Sequence, residues 1–263
     1  LEKSTSAKNE KENQTQNQHH QVKENNPSNG KKKDISHPAN VNNHNSNNNN
    51  NHTKETNQNS YNYINNPQIP YEYLNDVHLT LSQEELQTPS FFGYMKNHSD
   101  INEQMRAILV DWIIEVHSKF NLKEETLFVC VFIIDKFLKN EIIPRSKLQL
   151  LGVASIMIAC KQEEIYSPSI RDFVFITDNA YTKQEIFDME YHILKVLEFN
   201  TVFPSSLGFF ELIALDFSFD SKQFNFGLYL LELYLIDYRM TKYLPSVIAC
   251  TAAYIVMKFF KMP

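Results

Sequence analysis

Glycine is scarce in this chain, with five in 263 residues, and nowhere do apolar and polar residues alternate as in a half-buried strand. A sheet-rich fold is therefore excluded and an all-α one expected. No Gly-rich phosphate cradle, nucleophile–base constellation or metal-ligand spacing occurs, so nothing points to catalysis, a cofactor or a metal. No apolar run approaches the roughly 20 residues of a membrane span, and no signal-peptide pattern opens the chain. Cysteines number three. Cys130, Cys160 and Cys250 are far apart and set in apolar stretches, so they read as reduced core thiols of an intracellular protein.

Basic charge is lacking where nucleic acid would need it. Residues 1–66 hold eight lysines and six acids, so the chain's net −6 leaves about −8 beyond them. An acidic folded part has no basic face for direct nucleic-acid binding. The first 70 residues are rich in Asn, Gln, Ser, His and Lys, with an unbroken run from Asn47 to Asn51. They offer too little apolar surface to offset ordering entropy and are expected to form a disordered tail. His19-His20 reads as compositional, and Lys31-Lys32-Lys33 as a solvated charge run before a nuclear-import signal.

What is present, beyond Tyr71, is a series of helix signals. Tyr73 to Leu86 reads as a short amphipathic helix standing apart. Asp100 with Glu103 forms a capping-box pair before a second helix. Glu124 to Lys139 is strongly apolar, and Pro144 opens a helix that ends near Lys161. Ser167-Pro168 opens the next, through Thr177, and Thr182 with Glu185 caps one running to Leu197. Pro204 opens another, followed by Phe224 to Tyr238 and Pro245 to Lys258.

Two internal patterns carry more information. Met105, Ile108, Leu109 and Trp112 recur at helical spacing, extended by Ile101, Ile113, Val116 and Phe120. So many large apolar residues imply a helix touching a core, with Ile113 and Val116 in it, and something else besides. The second pattern is a repeat. Leu148 to Lys161, with Gly152, Ala154, Ser155 and Ala159, aligns without gaps to Pro245 to Lys258, where Ala249, Thr251 and Ala252 match. Ile134-Asp135 likewise echoes Ile236-Asp237. Two related helical units are expected, each around a central helix of small residues.

The run Met105 to Trp112 resembles the start of the cyclin box in mitotic cyclins of the A/B type. Lys147-Leu148-Gln149-Leu150, Lys161-Gln162-Glu163-Glu164-Ile165-Tyr166, Ile176-Thr177-Asp178, Tyr181-Thr182-Lys183, Met189-Glu190 and Leu194-Lys195-Val196-Leu197 extend the resemblance. Tyr243-Leu244-Pro245-Ser246-Val247-Ile248-Ala249 continues it into a second box. It implies tandem five-helix boxes: residues 71–200 as an N-terminal helix plus first box, and 201–263 as a truncated second. Because the chain starts at Leu1 and the second box stops at its third helix, a fragment is expected.

The resemblance implies a non-catalytic subunit, nuclear and cytoplasmic, that binds and activates a cyclin-dependent kinase in the G2/M part of the cell cycle. Lys161 and Glu190 correspond to the pair that holds a kinase loop, and Tyr73 and Val77 to side chains that pack on the kinase. Met105, Ile108, Leu109, Trp112 and Leu148, rimmed by Glu115 and Gln149, correspond to a patch that docks Arg/Lys-x-Leu segments of substrates and inhibitors. The family commonly has an aromatic residue where Gln162 stands and an apolar one at Thr201, leaving Ile158, Leu194 and Phe199 to line that pocket. An unpartnered buried amide would cost roughly 1–3 kcal/mol there. Lys11-Glu12-Asn13 and Lys23-Glu24-Asn25 both spell the KEN degron read by the anaphase-promoting complex. A rival reading is a transcription adaptor of the same fold acting without a kinase; the acidic balance and the coincidence of Lys161 with Glu190 weigh against it.

Overall fold

A computed structural model describes residues 71–88 and 90–262. The expectations for the tail, including both KEN triplets, lie outside the described residues. Among those described, nine α-helices and no strands occur: α1 Leu74–Gln87, α2 Glu103–Phe120, α3 Glu124–Asn140, α4 Leu148–Glu163, α5 Ile170–Ile176, α6 Lys183–Val196, α7 Ser206–Asp216, α8 Ser221–Ile236 and α9 Pro245–Phe259. No described helix is long and apolar enough to cross a membrane.

Several helix starts differ from expectation, each for a local reason. Asn102, not Asp100, caps α2 by accepting from the Met105 N–H at 2.9 Å. Asp100 instead accepts from the Arg145 N–H. Pro144 precedes a 3-10 turn, Arg145–Lys147, and α4 begins only at Leu148. Ser169, three residues before Asp172, caps α5 in place of Ser167. Ser205, one residue past Pro204, caps α7. The Thr182–Glu185 capping box of α6 and the first-turn Pro245 of α9 stand as expected.

The centre of the first unit is α4, buried all round from Leu150 to Cys160 and packed against α2, α3 and α6. A Cβ on Gly152 would lie 2.8 Å from Leu109 Cδ1, so glycine leaves the room that the Leu109 side chain fills, and any larger residue would make that side chain shift. In the second unit α9 lies against α7 and α8. Its buried small residues are Ala249, Ala252 and Ala253. Thr251, expected at the contact, is exposed, with its hydroxyl bonded to the Val247 carbonyl one turn earlier. Cys130 and Cys160 are buried, and burial pushes the Cys160 thiol up to about 12. Cys250 is exposed and leaves the expected set of core thiols.

The two units are joined through Arg106. It is 1% exposed, although Ile108, two residues on, is 63% exposed. Its Nε and Nη2 donate to the two oxygens of Asp135 on α3, both at 2.6 Å, while Nη1 donates to the Leu235 carbonyl at 2.8 Å, near the end of α8. The Tyr94 hydroxyl donates to the same carboxylate at 2.7 Å. Every donor and acceptor in this buried cluster finds a partner, the condition on which a buried charge is tolerated. Asp237, the echo of Asp135, pairs with nearby Arg239, whose side chain is exposed.

A second junction is acidic. Glu125 at the start of α3 accepts from the Ser205 hydroxyl at 2.9 Å and faces Glu211 on α7, with Glu163 also near. Burial pushes both Glu125 and Glu211 to about 7; the Ser205 bond draws Glu125 down and the repulsion from Glu211 pushes it up.

Two expectations follow. Arg106→Ala leaves Asp135 as an uncompensated buried charge and should lower the unfolding free energy by about 3–5 kcal/mol, read from urea denaturation; Arg106→Met with Asp135→Leu should cost much less. The acidic junction makes stability pH-dependent. Both carboxyls titrate higher folded than unfolded, so their contribution is full below about 4.5 and lost as pH rises through about 7. From pH 5 to 8 the wild type should lose on the order of 3 kcal/mol that a Glu125→Gln/Glu211→Gln variant keeps.

Candidate protein-docking surfaces

The end of α4 and the middle of α6 place Lys161 and Glu190 side by side. Lys161 Nζ donates to Glu190 Oε1 at 2.5 Å, and the Lys161 side chain is 50% exposed. Beside the pair stands Phe187, whose ring lies 5.9 Å from the Lys161 ammonium, and exposed Tyr191 follows Glu190 on α6. Ile165 and Tyr166, just past α4, are exposed as well. None of these four stood out from the sequence as a contact residue. Phe187 lies three residues before Glu190 and four before Tyr191 on α6, a helical spacing that could have found them.

Gln162 and Thr201, expected to leave an amide without a partner, satisfy each other. The Thr201 hydroxyl donates to Gln162 Oε1 at 2.8 Å, and Gln162 Nε2 donates to Glu163 Oε1 at 2.9 Å. Of the apolar residues expected beside them, Ile158 is buried because α4 is covered on every side there. Leu194 is half-buried and Phe199 exposed, so these two alone present surface. Phe199 and Glu198 both take positive φ, of 59° and 51°, in the turn that closes α6; an aromatic side chain rarely adopts that backbone, which turns this ring outward. Glu164 serves the scaffold instead, since its Oε1 accepts from the Lys123 N–H and the Thr126 hydroxyl and so caps the first turn of α3.

The second surface is formed by α2 and the start of α4. Ile108 is 63% exposed, and Met105 and Trp112 are half-buried. Leu109 and Leu148 are buried; they form the floor, because Leu109 is pressed on Gly152. Glu115 is exposed and Gln149 half-buried at the edge. Ile113 and Val116, on the inner side, belong to the core.

The third surface is α1, which does not stand apart as expected. It packs on α7, and Tyr73 and Val77 remain exposed on its flank. These two are thus carried by the second unit, whereas Lys161 and Glu190 belong to the first.

Residues 76–202 match the cyclin N-terminal domain and residues 203–263 the cyclin C-terminal domain. The chain belongs to the cyclin family. Within it the likeness is to mitotic B-type members. Identity is 45% over 193 residues to the G2/mitotic-specific cyclin-B of Spisula solidissima, covering 73% of this chain and 45% of that protein. It is 46% over 187 residues to the G2/mitotic-specific cyclin-B2 of Gallus gallus, covering 71% and 47%. The chain spans about half the length of the curated relatives it matches. Among solved structures, a viral cyclin from herpesvirus saimiri superposes with a TM-score of 0.65 at 18% identity, covering 73% of this chain and 83% of that one. A chain of the yeast RNA Pol II CTD kinase CTDK-1 complex gives 0.55 at 14% identity, covering 64% and 60%. At those identities the likeness is one of fold.

The Lys161–Glu190 pair should contribute little to the fold, because its ammonium is half-exposed and an ion pair open to solvent is worth about 1 kcal/mol or less. Lys161→Ala should therefore leave the urea midpoint nearly unchanged, in contrast to Arg106→Ala.

Proposed function

We propose that this cyclin is a regulatory, non-catalytic subunit that binds and activates a cyclin-dependent Ser/Thr protein kinase in the G2/M part of the cell cycle, in nucleus and cytoplasm. The observation that carries the reading is the Lys161–Glu190 pair, with a half-exposed ammonium beside Phe187 and with exposed Tyr191, Ile165 and Tyr166 following its two members in the chain. Side by side, an ammonium and a carboxylate can hold carbonyl and N–H groups of a docked kinase loop, and these apolar side chains supply area to bury. Tyr73 and Val77 extend the contact. Leu194 and Phe199, over buried Ile158 and beside the Gln162–Thr201 pair, form its neighbouring edge.

The activation is a population shift. Binding favours the kinase state with its movable helix swung in, which completes the ion pair that orients ATP and reorders the activation loop. The surface of Met105, Ile108 and Trp112, floored by Leu109 and Leu148, takes the Leu of an Arg/Lys-x-Leu segment from a substrate or inhibitor. Glu115 meets its basic residue, and Gln149 stands at the rim. Tethering substrate there raises its effective concentration at the kinase. Lys11-Glu12-Asn13 and Lys23-Glu24-Asn25 are assigned to recognition by the anaphase-promoting complex.

The test is stimulation of a purified cyclin-dependent kinase by the chain. Activity should rise with wild type, while Lys161→Glu abolishes both capture and stimulation with its circular dichroism unchanged. Wild type that binds without stimulating, or a Lys161→Glu chain that captures the kinase as well, would overturn the reading.

A further inference from the structure

Helix α1 has a peculiarity that its sequence conceals: its one fully buried side chain is a charge. Glu85 is 5% exposed, while the apolar Leu79 and Leu86 on the same helix are exposed. Its Oε2 accepts from the backbone N–H of Ser246 at 3.0 Å, 161 residues later, in the first turn of α9. Pro245 before it has no N–H, so Ser246 carries the first free donor of that helix. A carboxylate in this position is held by a charge-assisted hydrogen bond and by the positive end of the helix dipole.

The remaining contacts of this face of α1 are weak. His78 meets the Phe209 ring edge-on at 6.3 Å, and Leu81 lies beside Gly208 on α7. Just past the helix, the Ser90 hydroxyl donates to the Thr241 carbonyl at 3.3 Å. His78, Leu81 and Glu85 share one face at helical spacing, and these contacts with Phe209, Gly208 and Ser246 are all with the second box. Val77 lies about a quarter turn round the helix from that face, and Tyr73 stands just before its first residue, at the end of the 3-10 turn Tyr71–Tyr73. With so little apolar burial, the rotation of α1 about its axis depends on its one strong directional bond.

We propose that Glu85 is a positioning residue. By capping α9 it fixes the rotation of α1 that presents Tyr73 and Val77, so the second box governs kinase contact through the helix that precedes the first. The consequence for binding rests on the function proposed above; the latch itself does not.

The experiment therefore has two arms on the full chain. In the first, amide hydrogen exchange is followed without kinase. Glu85→Ala should speed exchange across Leu74–Gln87 by at least about tenfold, and Glu85→Gln by less, with α2 to α6 unchanged. Unchanged exchange in α1, or a uniform rise throughout, would overturn the latch. In the second, affinity for a purified cyclin-dependent kinase is measured as a double-mutant cycle. Tyr73→Ala should weaken binding several-fold in the wild type but add almost nothing to Glu85→Ala. Additive losses would overturn the positioning role. No binding by wild type would instead refute the kinase reading, leaving the exchange result to judge the latch.

Discussion

The guanidinium of Arg106 is the interaction on which the arrangement of this molecule depends. One side chain on α2 grips α3 through both oxygens of Asp135 and the end of α8 through the Leu235 carbonyl. Removing a charge from water costs several kcal/mol, so this residue is tolerated only where all of its partners assemble at once. That makes it a device of registry: the first box, the end of α8 in the second and the Tyr94 segment share one fixed point. Apolar packing of α4 and α9 supplies most of the stabilisation, yet such packing has little direction of its own.

With the boxes held in register, the surfaces follow from what the core leaves over. The α2 helix turns Ile113, Val116 and Arg106 inward and leaves Ile108 outward, with Met105 and Trp112 between. Lys161 is the first residue of α4 beyond its buried stretch, so it emerges on a rigid support. The Glu190 that meets it stands one residue past buried Met189 on α6. Rigid placement matters, because a loop partner gains only what the receiving groups need not lose in ordering. The charged junctions differ in kind: Arg106 with Asp135 is a satisfied pair, whereas Glu125 and Glu211 face each other with Ser205 alone hydrogen-bonded to Glu125.

Much of this was legible in the chain. Helical spacing located the elements, because a 3.6-residue period survives whatever the helix packs against. The small residues of Leu148 to Lys161 identified a central helix, since small side chains leave room for neighbours such as Leu109, whose side chain lies against Gly152. Starts of helices were less legible: Asp100, Pro144 and Ser167 are all plausible caps, and competition among adjacent candidates is decided by which N–H groups the chain path exposes. At the site, Lys161 and Glu190 were found by resemblance, while Phe187 and Tyr191 passed unnoticed because an aromatic residue on a helix reads as core until its neighbours are known. Gln162 and Thr201 each looked anomalous singly. They are 39 residues apart and bond to each other.

By itself the sequence determined the all-α class, the two related units and the central helix α4, but not α1, read as amphipathic although it buries Glu85 and exposes Leu79 and Leu86. Those properties depend on composition and period, which are local. The tertiary structure alone decided that Arg106 lies inside, that Leu109 and Leu148 form a floor while Ile108 stands proud, and that Glu85 reaches across 161 residues to cap α9. A charged or apolar side chain has no fixed burial of its own; its place is set by whether distant groups arrive to satisfy it or cover it, and that is a property of the folded arrangement.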